Sequence, residues 1–173
     1  VNQFAYGLRF PVFNTKFLNI SEPKQGDIAL FRYPKNPSII YVKRVIGLPG
    51  DHVAYRNKVL TINGTRMNQI PLGMDLDEEG KFSIPVQVRI EKLGDVVHKI
   101  FIRPGYKEWE DIDIVVPKNS YFMMGDNRDS SEDGRAWGFV PEENLIGKAF
   151  GTWMSWDSEN MDVRWSRIGK GIH

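Results

Sequence analysis

The segment IIYVKRVIGLPGD, residues 39–51, contains the clearest strand in the sequence and ends in a Pro-Gly-Asp turn. Apolar side chains flank two adjacent cations, Lys43 and Arg44. Because successive side chains of a strand point to opposite faces, Lys43 shares a face with Tyr41 and Val45, and Arg44 lies on the other. Both faces are apolar, so at least one of the two cations is expected to be partly removed from water.

Short β-branched or aromatic runs bounded by turn residues recur outside this segment. The other predicted strands are Asp27–Tyr33, Lys58–Ile62, Ile84–Glu91, Val96–Ile102, Ile112–Val116 and Ser120–Met124. This pattern is typical of a mostly β, mainly antiparallel fold. The one helical piece that the sequence predicts is a turn near Pro141–Leu145, with Pro141 at its first position.

The composition excludes several classes of function. The chain has 173 residues, of which 23 are Lys or Arg and 22 are Asp or Glu, so a net charge of +1 leaves no long basic face for nucleic acid. It has no cysteine and three scattered histidines, so neither a metal nor another cofactor is expected. No run approaches the roughly 20 apolar residues of a membrane span.

Acidic and glycine-rich stretches in the middle of the chain indicate an insertion. We predict a discontinuous core of residues 1–52 and 114–173, with residues 53–113 as a smaller inserted β-rich domain. In the tail, Trp153, Trp156 and Trp165 are consistent either with a hydrophobic core or with a surface that enters a bilayer interface.

Lys43 is the candidate base. At least one cation of the segment is expected to lose water, and the two differ in the consequence, because an arginine stays charged when desolvated, whereas a lysine can lose its proton. An alternative interpretation remains open on spacing alone, because a lysine on an edge strand also deters aggregation.

A second segment, MMGDNRDSSEDGRAWG at residues 123–138, is dense in charge and glycine. Its alternating acids and arginines can form bidentate pairs that hold a loop rigid beside a reactive group. A solvated, charged turn is the plainer alternative. Asp129 to Gly134 also match the first positions of a calcium-binding loop, but Val140 stands where the bidentate Glu is required.

These segments together resemble conserved boxes of the bacterial signal peptidase I family. Residues 41–51 look like its lysine box, residues 124–138 its last box, and residues 25–31 the box between its serine and its lysine. The resemblance implies a fold of the signal peptidase/LexA-like type with an inserted β domain. It also implies a membrane-bound serine endopeptidase that removes signal peptides from secreted preproteins with a Ser/Lys dyad.

By this resemblance Lys43 is the general base and the Ser131 hydroxyl orients its amine. The residues expected to support the site are Arg44, Asp126, Arg128, Asp133 and Arg135. The substrate is expected to lie extended beside residues 39–42, as an added strand. The residues expected to line its pockets are Leu30, Ile40, Tyr41 and Val42.

The family nucleophile lies in a Ser-Met-x-Pro-Thr stretch upstream of Phe4-Ala5-Tyr6-Gly7, and the sequence contains no such stretch. The expectation is therefore that the chain lacks its nucleophile and membrane spans and is inactive. The parent protein is expected in the bacterial inner membrane, with its catalytic domain facing the periplasm, and its partners are signal peptides and the lipid surface. Two alternatives are a non-catalytic β module that binds signal-peptide-like strands or membrane partners, and a self-cleaving repressor.

Overall fold

The structure is a computed structural model, and it describes residues 22–79, 82–106 and 111–149. In chain order, its elements are β1 (Ile28–Tyr33), β2 (Asn36–Gly47), β3 (His52–Arg56), β4 (Val59–Ile62), β5 (Thr65–Arg66), β6 (Gln69–Glu79), β7 (Phe82–Leu93), β8 (Val96–Ile102), β9 (Ile112–Val115), β10 (Ser120–Met124), α1 (Gly134–Trp137), β11 (Val140–Pro141), a 3-10 turn (Glu142–Asn144) and β12 (Leu145–Ala149). The described strands pair antiparallel with their neighbours, which confirms the predicted mostly antiparallel β fold. Trp153, Trp156 and Trp165 lie outside the described residues.

The strands form three sheets. The largest has the order β11-β10-β2-β1-β12, the second β5-β4-β3-β9, and the third is the meander β6-β7-β8. Each predicted run corresponds to one observed strand. The sequence reading missed β3, β5, β6, β11 and β12.

The helical prediction was only partly right. A 3-10 turn does begin at Glu142, but Pro141 precedes it as the N-cap residue instead of occupying its first position. The one α-helix of the described residues is the single turn α1, which the sequence reading did not predict. Its N-cap is Asp133, whose side chain accepts a hydrogen bond from the backbone N–H of Arg135.

The five-stranded sheet buries apolar side chains on both faces. On one face, Val45 of β2 and Met123 of β10 pack in a cluster with Phe31. On the other, Ile46 and Phe122 pack in a second cluster with residues of β3 and β4. The alternation of side chains along β2 thus puts Lys43 and Arg44 beside two different hydrophobic cores.

The predicted division into a core and an insertion stays a prediction. Its boundaries fall within β3 and β9, and these two strands pair with each other through Val53 opposite Ile114. Just outside them, the backbones of Asp51 and Val116 are 2.9 Å apart in a hydrogen bond. The chain therefore enters and leaves residues 53–113 at adjacent points, which is the geometry an insertion requires.

Candidate active site

Lys43 lies on β2, where its amine meets a hydroxyl. Its Nζ is 2.6 Å from the Oγ of Ser131 and 5.6 Å from the centre of the Tyr41 ring. Burial lowers the pKa of Lys43, and the carboxylate of Asp133 opposes part of that shift. The surroundings therefore favour a neutral amine more than water does, which is what a lysine general base requires.

Ser131 reaches Lys43 because residue 125 has no side chain. A Cβ on Gly125 would stand 2.0 Å from the Ser131 Oγ and 3.6 Å from the Lys43 Nζ. Any larger residue at position 125 would occupy the space of the hydroxyl. The Ser131 side chain is only 6% exposed, so the hydroxyl is held between the loop backbone and the amine.

Asp133 closes the loop that carries Ser131. Its carboxylate accepts hydrogen bonds from the backbone N–H of Gly125 at 2.9 Å and from the Arg135 guanidinium at 2.8 and 2.6 Å. One carboxylate thus joins the beginning of the loop to its end. The predicted bidentate pairing of acids and arginines within residues 123–138 is present for Asp133 and Arg135.

Arg44 holds the same loop from the opposite face of β2. Its Nε and Nη2 donate to the two carboxylate oxygens of Asp126 at 2.8 and 2.7 Å, and its Nη1 donates to the carbonyl of Gly26 at 2.7 Å. Adjacent residues of one strand therefore contact the loop on both sides. Arg44 and Asp126, both predicted to support the site, lie together.

Arg128 pairs with a residue that the sequence reading missed. It is fully buried and donates to Glu91 of β7, which is also 0% exposed, through Nη1 at 3.2 Å and through Nη2. Burial alone would raise the pKa of Glu91, but the Arg128 charge and hydrogen bonds lower it to about 2. The sequence offered no signal for this pair. Glu91 lies in the three-stranded sheet, far from Arg128 in sequence, and it resembles any other polar residue of a strand that alternates polar and apolar side chains.

Further contacts join the loop to the middle of the chain. Asp129 forms an ion pair with Lys58 and accepts the backbone N–H of Arg103 at 2.9 Å. Asn127 donates to Asp77 of β6 at 2.7 Å. Within the described ranges no group of three or more His, Cys, Asp or Glu side chains is arranged to hold a metal ion.

The four predicted pocket residues lie on both faces of the sheet. Tyr41 is on the Lys43 side, where its ring stacks on Trp137 with centroids 6.5 Å apart. Val42, which is 40% exposed, lies on the other side with Leu30, its pairing partner on β1, and with Ile40. The structure thus brings Tyr41 alone of the four to the face of the amine.

One edge of β2 has no strand beside it in the described part of the chain. β10 pairs with β2 through Gly47, Val45 and Arg44. From Lys43 back to Asn36, β2 pairs with β1 on one side, and no described strand pairs with its other side. The free edge therefore begins at the lysine.

The chain matches known proteins over most of its length. Residues 1–156 match the family model described as "Signal peptidase, peptidase S26". The chain belongs to this family. The match also decides against the self-cleaving repressor alternative.

Two relatives of the family are the signal peptidase I of Pseudomonas fluorescens, 42% identical, and that of Pseudomonas aeruginosa, 43% identical. Each alignment covers 98% of this chain and 63% of the relative, so the chain spans less than two thirds of their length. A crystal structure of a signal peptidase I from Enterococcus faecalis is 26% identical and superimposes with a TM-score of 0.50. That match covers 76% of this chain and 99% of the Enterococcus chain, and it confirms the predicted signal peptidase type of fold.

No described helix is long and apolar enough to cross a membrane.

Proposed function

We propose that the full-length protein is a signal peptidase I, a serine endopeptidase that cleaves signal peptides from secreted preproteins with Lys43 as general base. The observation that carries this proposal is the 2.6 Å contact between the Lys43 amine and the Ser131 hydroxyl, at the end of a free strand edge. A lowered pKa, caused by burial, supports the role of Lys43 as a proton acceptor.

In this reaction the neutral amine of Lys43 takes the proton of a serine hydroxyl as that oxygen attacks the peptide carbonyl. The resulting ammonium gives the proton to the departing amine, and water then releases the acyl group by the same route in reverse. No histidine is needed, because burial lowers the pKa of Lys43 and so favours the unprotonated amine that can accept the proton.

Ser131 orients the amine in this proposal and does not itself attack. A side chain that is 6% exposed and pressed against Gly125 cannot be reached by an extended substrate. The attacking serine is the one expected in a Ser-Met-x-Pro-Thr stretch of the full-length protein. Arg44, Asp126, Arg128, Asp133 and Arg135 hold the loop that positions Ser131.

The substrate is proposed to bind as a strand along the free edge of β2. An added strand sends alternate side chains to opposite faces of the sheet. Tyr41 would then line the pocket on the side of Lys43, and Leu30, Ile40 and Val42 the pocket on the other side. Apolar walls of this kind suit the small uncharged residues that precede the cleavage site of a signal peptide.

The proposed location is the bacterial inner membrane, with the catalytic domain facing the periplasm and the lipid surface as a second partner. Membership of the signal peptidase family and the identity to the two Pseudomonas relatives support this assignment. Neither nucleic acid nor a metal has a part in the proposed reaction.

Cleavage of a labelled preprotein by the full-length protein in detergent tests the proposal. We expect Lys43→Met to reduce cleavage by roughly 10²- to 10⁴-fold, the usual contribution of a general base, while the fold survives because the side-chain volume is nearly kept. Lys99→Met is the matched control, since Lys99 is an exposed residue of β8. It should cleave like the wild type.

Equal cleavage by the Lys43→Met variant would exclude Lys43 from the mechanism. A wild-type protein that binds the preprotein but leaves it intact would favour the alternative of a non-catalytic β module.

A further inference from the structure

A second concave site lies away from Lys43, between β4, β5 and the β6-β7 hairpin. Its volume is about 280 Å³, and its walls carry two arginines, Arg66 and Arg89. Small-molecule sites usually measure roughly 300–1,000 Å³, so this one suits a small ligand or a single head group. The catalytic proposal makes no use of these residues.

The walls of this site are positively charged and hold no acid. Besides the two arginines, they consist of amide side chains, with Val59, Met67 and Pro71 as the apolar part. The nearest carboxylate along β7 is Glu91, and it is bound to Arg128 and to Gln69. Two positive charges in one concavity without a counter-charge favour an anion.

The Arg89 guanidinium is held in place by neutral groups. Its Nε and Nη2 donate to the amide oxygen of Gln87 at 2.9 and 2.6 Å, and its Nη1 donates to the amide oxygen of Gln69 at 2.8 Å. Gln69 is fixed in turn by the carbonyl of Lys58 at 3.0 Å and by Glu91 at 2.9 Å. These bonds use three of the five N–H groups of a guanidinium, which leaves two for a ligand.

Arg66 complements Arg89 from the two-residue strand β5. It is exposed, and its side chain makes no hydrogen bond or ion pair with the residues that the structure describes. The N–H groups of a guanidinium match the spacing of phosphate oxygens. A phosphate monoester carries a charge of roughly −1.5 to −2 near neutral pH, which two arginines balance better than they balance the single charge of a carboxylate. A preorganised Arg89 lowers the entropy lost on binding.

We propose that Arg66 and Arg89 form a binding site for a phosphate group, carried either by free phosphate or by a phospholipid head group. The first test uses inorganic phosphate and the 173-residue chain at constant ionic strength, followed by the amide NMR resonances of Asn68 and Gln87. Saturable shifts are expected with phosphate and not with acetate. Equal shifts with acetate, or none with phosphate, would overturn the proposal.

Charge-removing variants separate the site from general electrostatics. Arg66→Gln should weaken phosphate binding by about tenfold, the usual effect of losing one charge-assisted hydrogen bond. The double variant Arg66→Gln/Arg89→Gln should remove saturable binding. Arg32→Gln, an exposed arginine of β1, is the matched control and should bind as the wild type does. Because the Arg66 side chain makes no hydrogen bond or ion pair with any described residue, its variant tests the site even if Arg89→Gln disturbs the fold. Unchanged affinity in Arg66→Gln would overturn the proposal.

Vesicles distinguish the two sources of phosphate. Binding to phosphatidylglycerol vesicles but not to phosphatidylcholine vesicles, lost in the double variant, would assign the site to a lipid head group. Phosphate binding without such vesicle binding would assign it to the free ion. Both readouts are independent of peptidase activity, so they succeed or fail separately from the proposed catalysis.

Discussion

Lys43 is a partly buried cation that contacts the loop of residues 123–138, Arg128 is a fully buried cation within that loop, and their partners differ. Lys43 meets a neutral hydroxyl, whereas Arg128 meets a carboxylate in a fully buried pair. A lysine on which the effect of burial outweighs that of the nearby carboxylates is shifted toward its neutral form and can act as a base, while a paired arginine remains charged and fixes the backbone. On one side of the loop, Lys43 can therefore accept a proton. On the other side, the ion pair of Arg128 with Glu91 fixes the backbone of the loop.

The largest effect is expected from removing the negative charge that is paired with Arg128. Glu91→Gln leaves a buried guanidinium without its carboxylate and should lower the free energy of unfolding by about 3–5 kcal/mol, measured by urea denaturation. Glu143→Gln, an exposed residue of the 3-10 turn, is the matched control and should change little. The double variant Glu91→Leu/Arg128→Met should recover most of the loss, since it removes both charges.

If Glu91→Gln unfolds at the same urea concentration as the wild type, the ion pair with Arg128 does not stabilise the loop. The proposed difference between Arg128 and Lys43 would then be wrong.

The next largest effect is expected on the Lys43 side, from Gly125→Ala. The added methyl group would overlap the Ser131 hydroxyl, so either the loop moves or the contact with Lys43 breaks, at a cost of about 1–3 kcal/mol. Gly147→Ala is the control in the urea experiment, because no atom lies within 4 Å of a Cβ built there. Adding Ser131→Gly to the Gly125→Ala variant should restore part of the stability; no recovery would mean that the strain arises elsewhere.

The smallest expected effect is the pH dependence of the stability that Lys43 contributes. The pKa of Lys43 is lower in the folded chain than its ordinary value of 10.5. At a pH between these two values, Lys43 is protonated in the unfolded chain and neutral in the folded chain. Stability contributed by this group therefore rises with pH across that window. The unfolding free energy of the wild type, minus that of Lys43→Met, should therefore increase as the pH rises toward 10.

Urea denaturation at several pH values measures this slope. A slope of the opposite sign would mean that Lys43 is more basic when folded and cannot serve as the base.

Much of the fold could be predicted from the sequence because its main strands carry a local signal. The β-branched and aromatic runs at residues 39–46 and 120–124, bounded by turn residues, are enough to indicate β2 and β10. β6 escaped detection because its second half is acidic, and because Pro71 and Gly73 interrupt it at a bulge, features that read as a loop. α1 is a single turn fixed by its cap, too short for any helical periodicity to appear.

The candidate site divides in the same way. Lys43 stood out because a charge in an apolar strand is unusual. The period of the strand placed Arg44 on the opposite face, and its supporting role was implied by the family resemblance. Glu91 and Lys58 could not be found, because their roles depend on how distant hairpins are stacked against the loop. The sequence alone assigns no role to Gly125, since only the position of Ser131 shows why a side chain is excluded there.

The hydrogen-bonded backbones of Asp51 and Val116 make residues 53–113 look removable, because a short splice would rejoin the chain without removing any strand of the five-stranded sheet. The shortened chain would nevertheless keep Arg128 without a counter-charge, since Glu91 would be removed with the excised segment. Any shortened variant must therefore also replace Arg128.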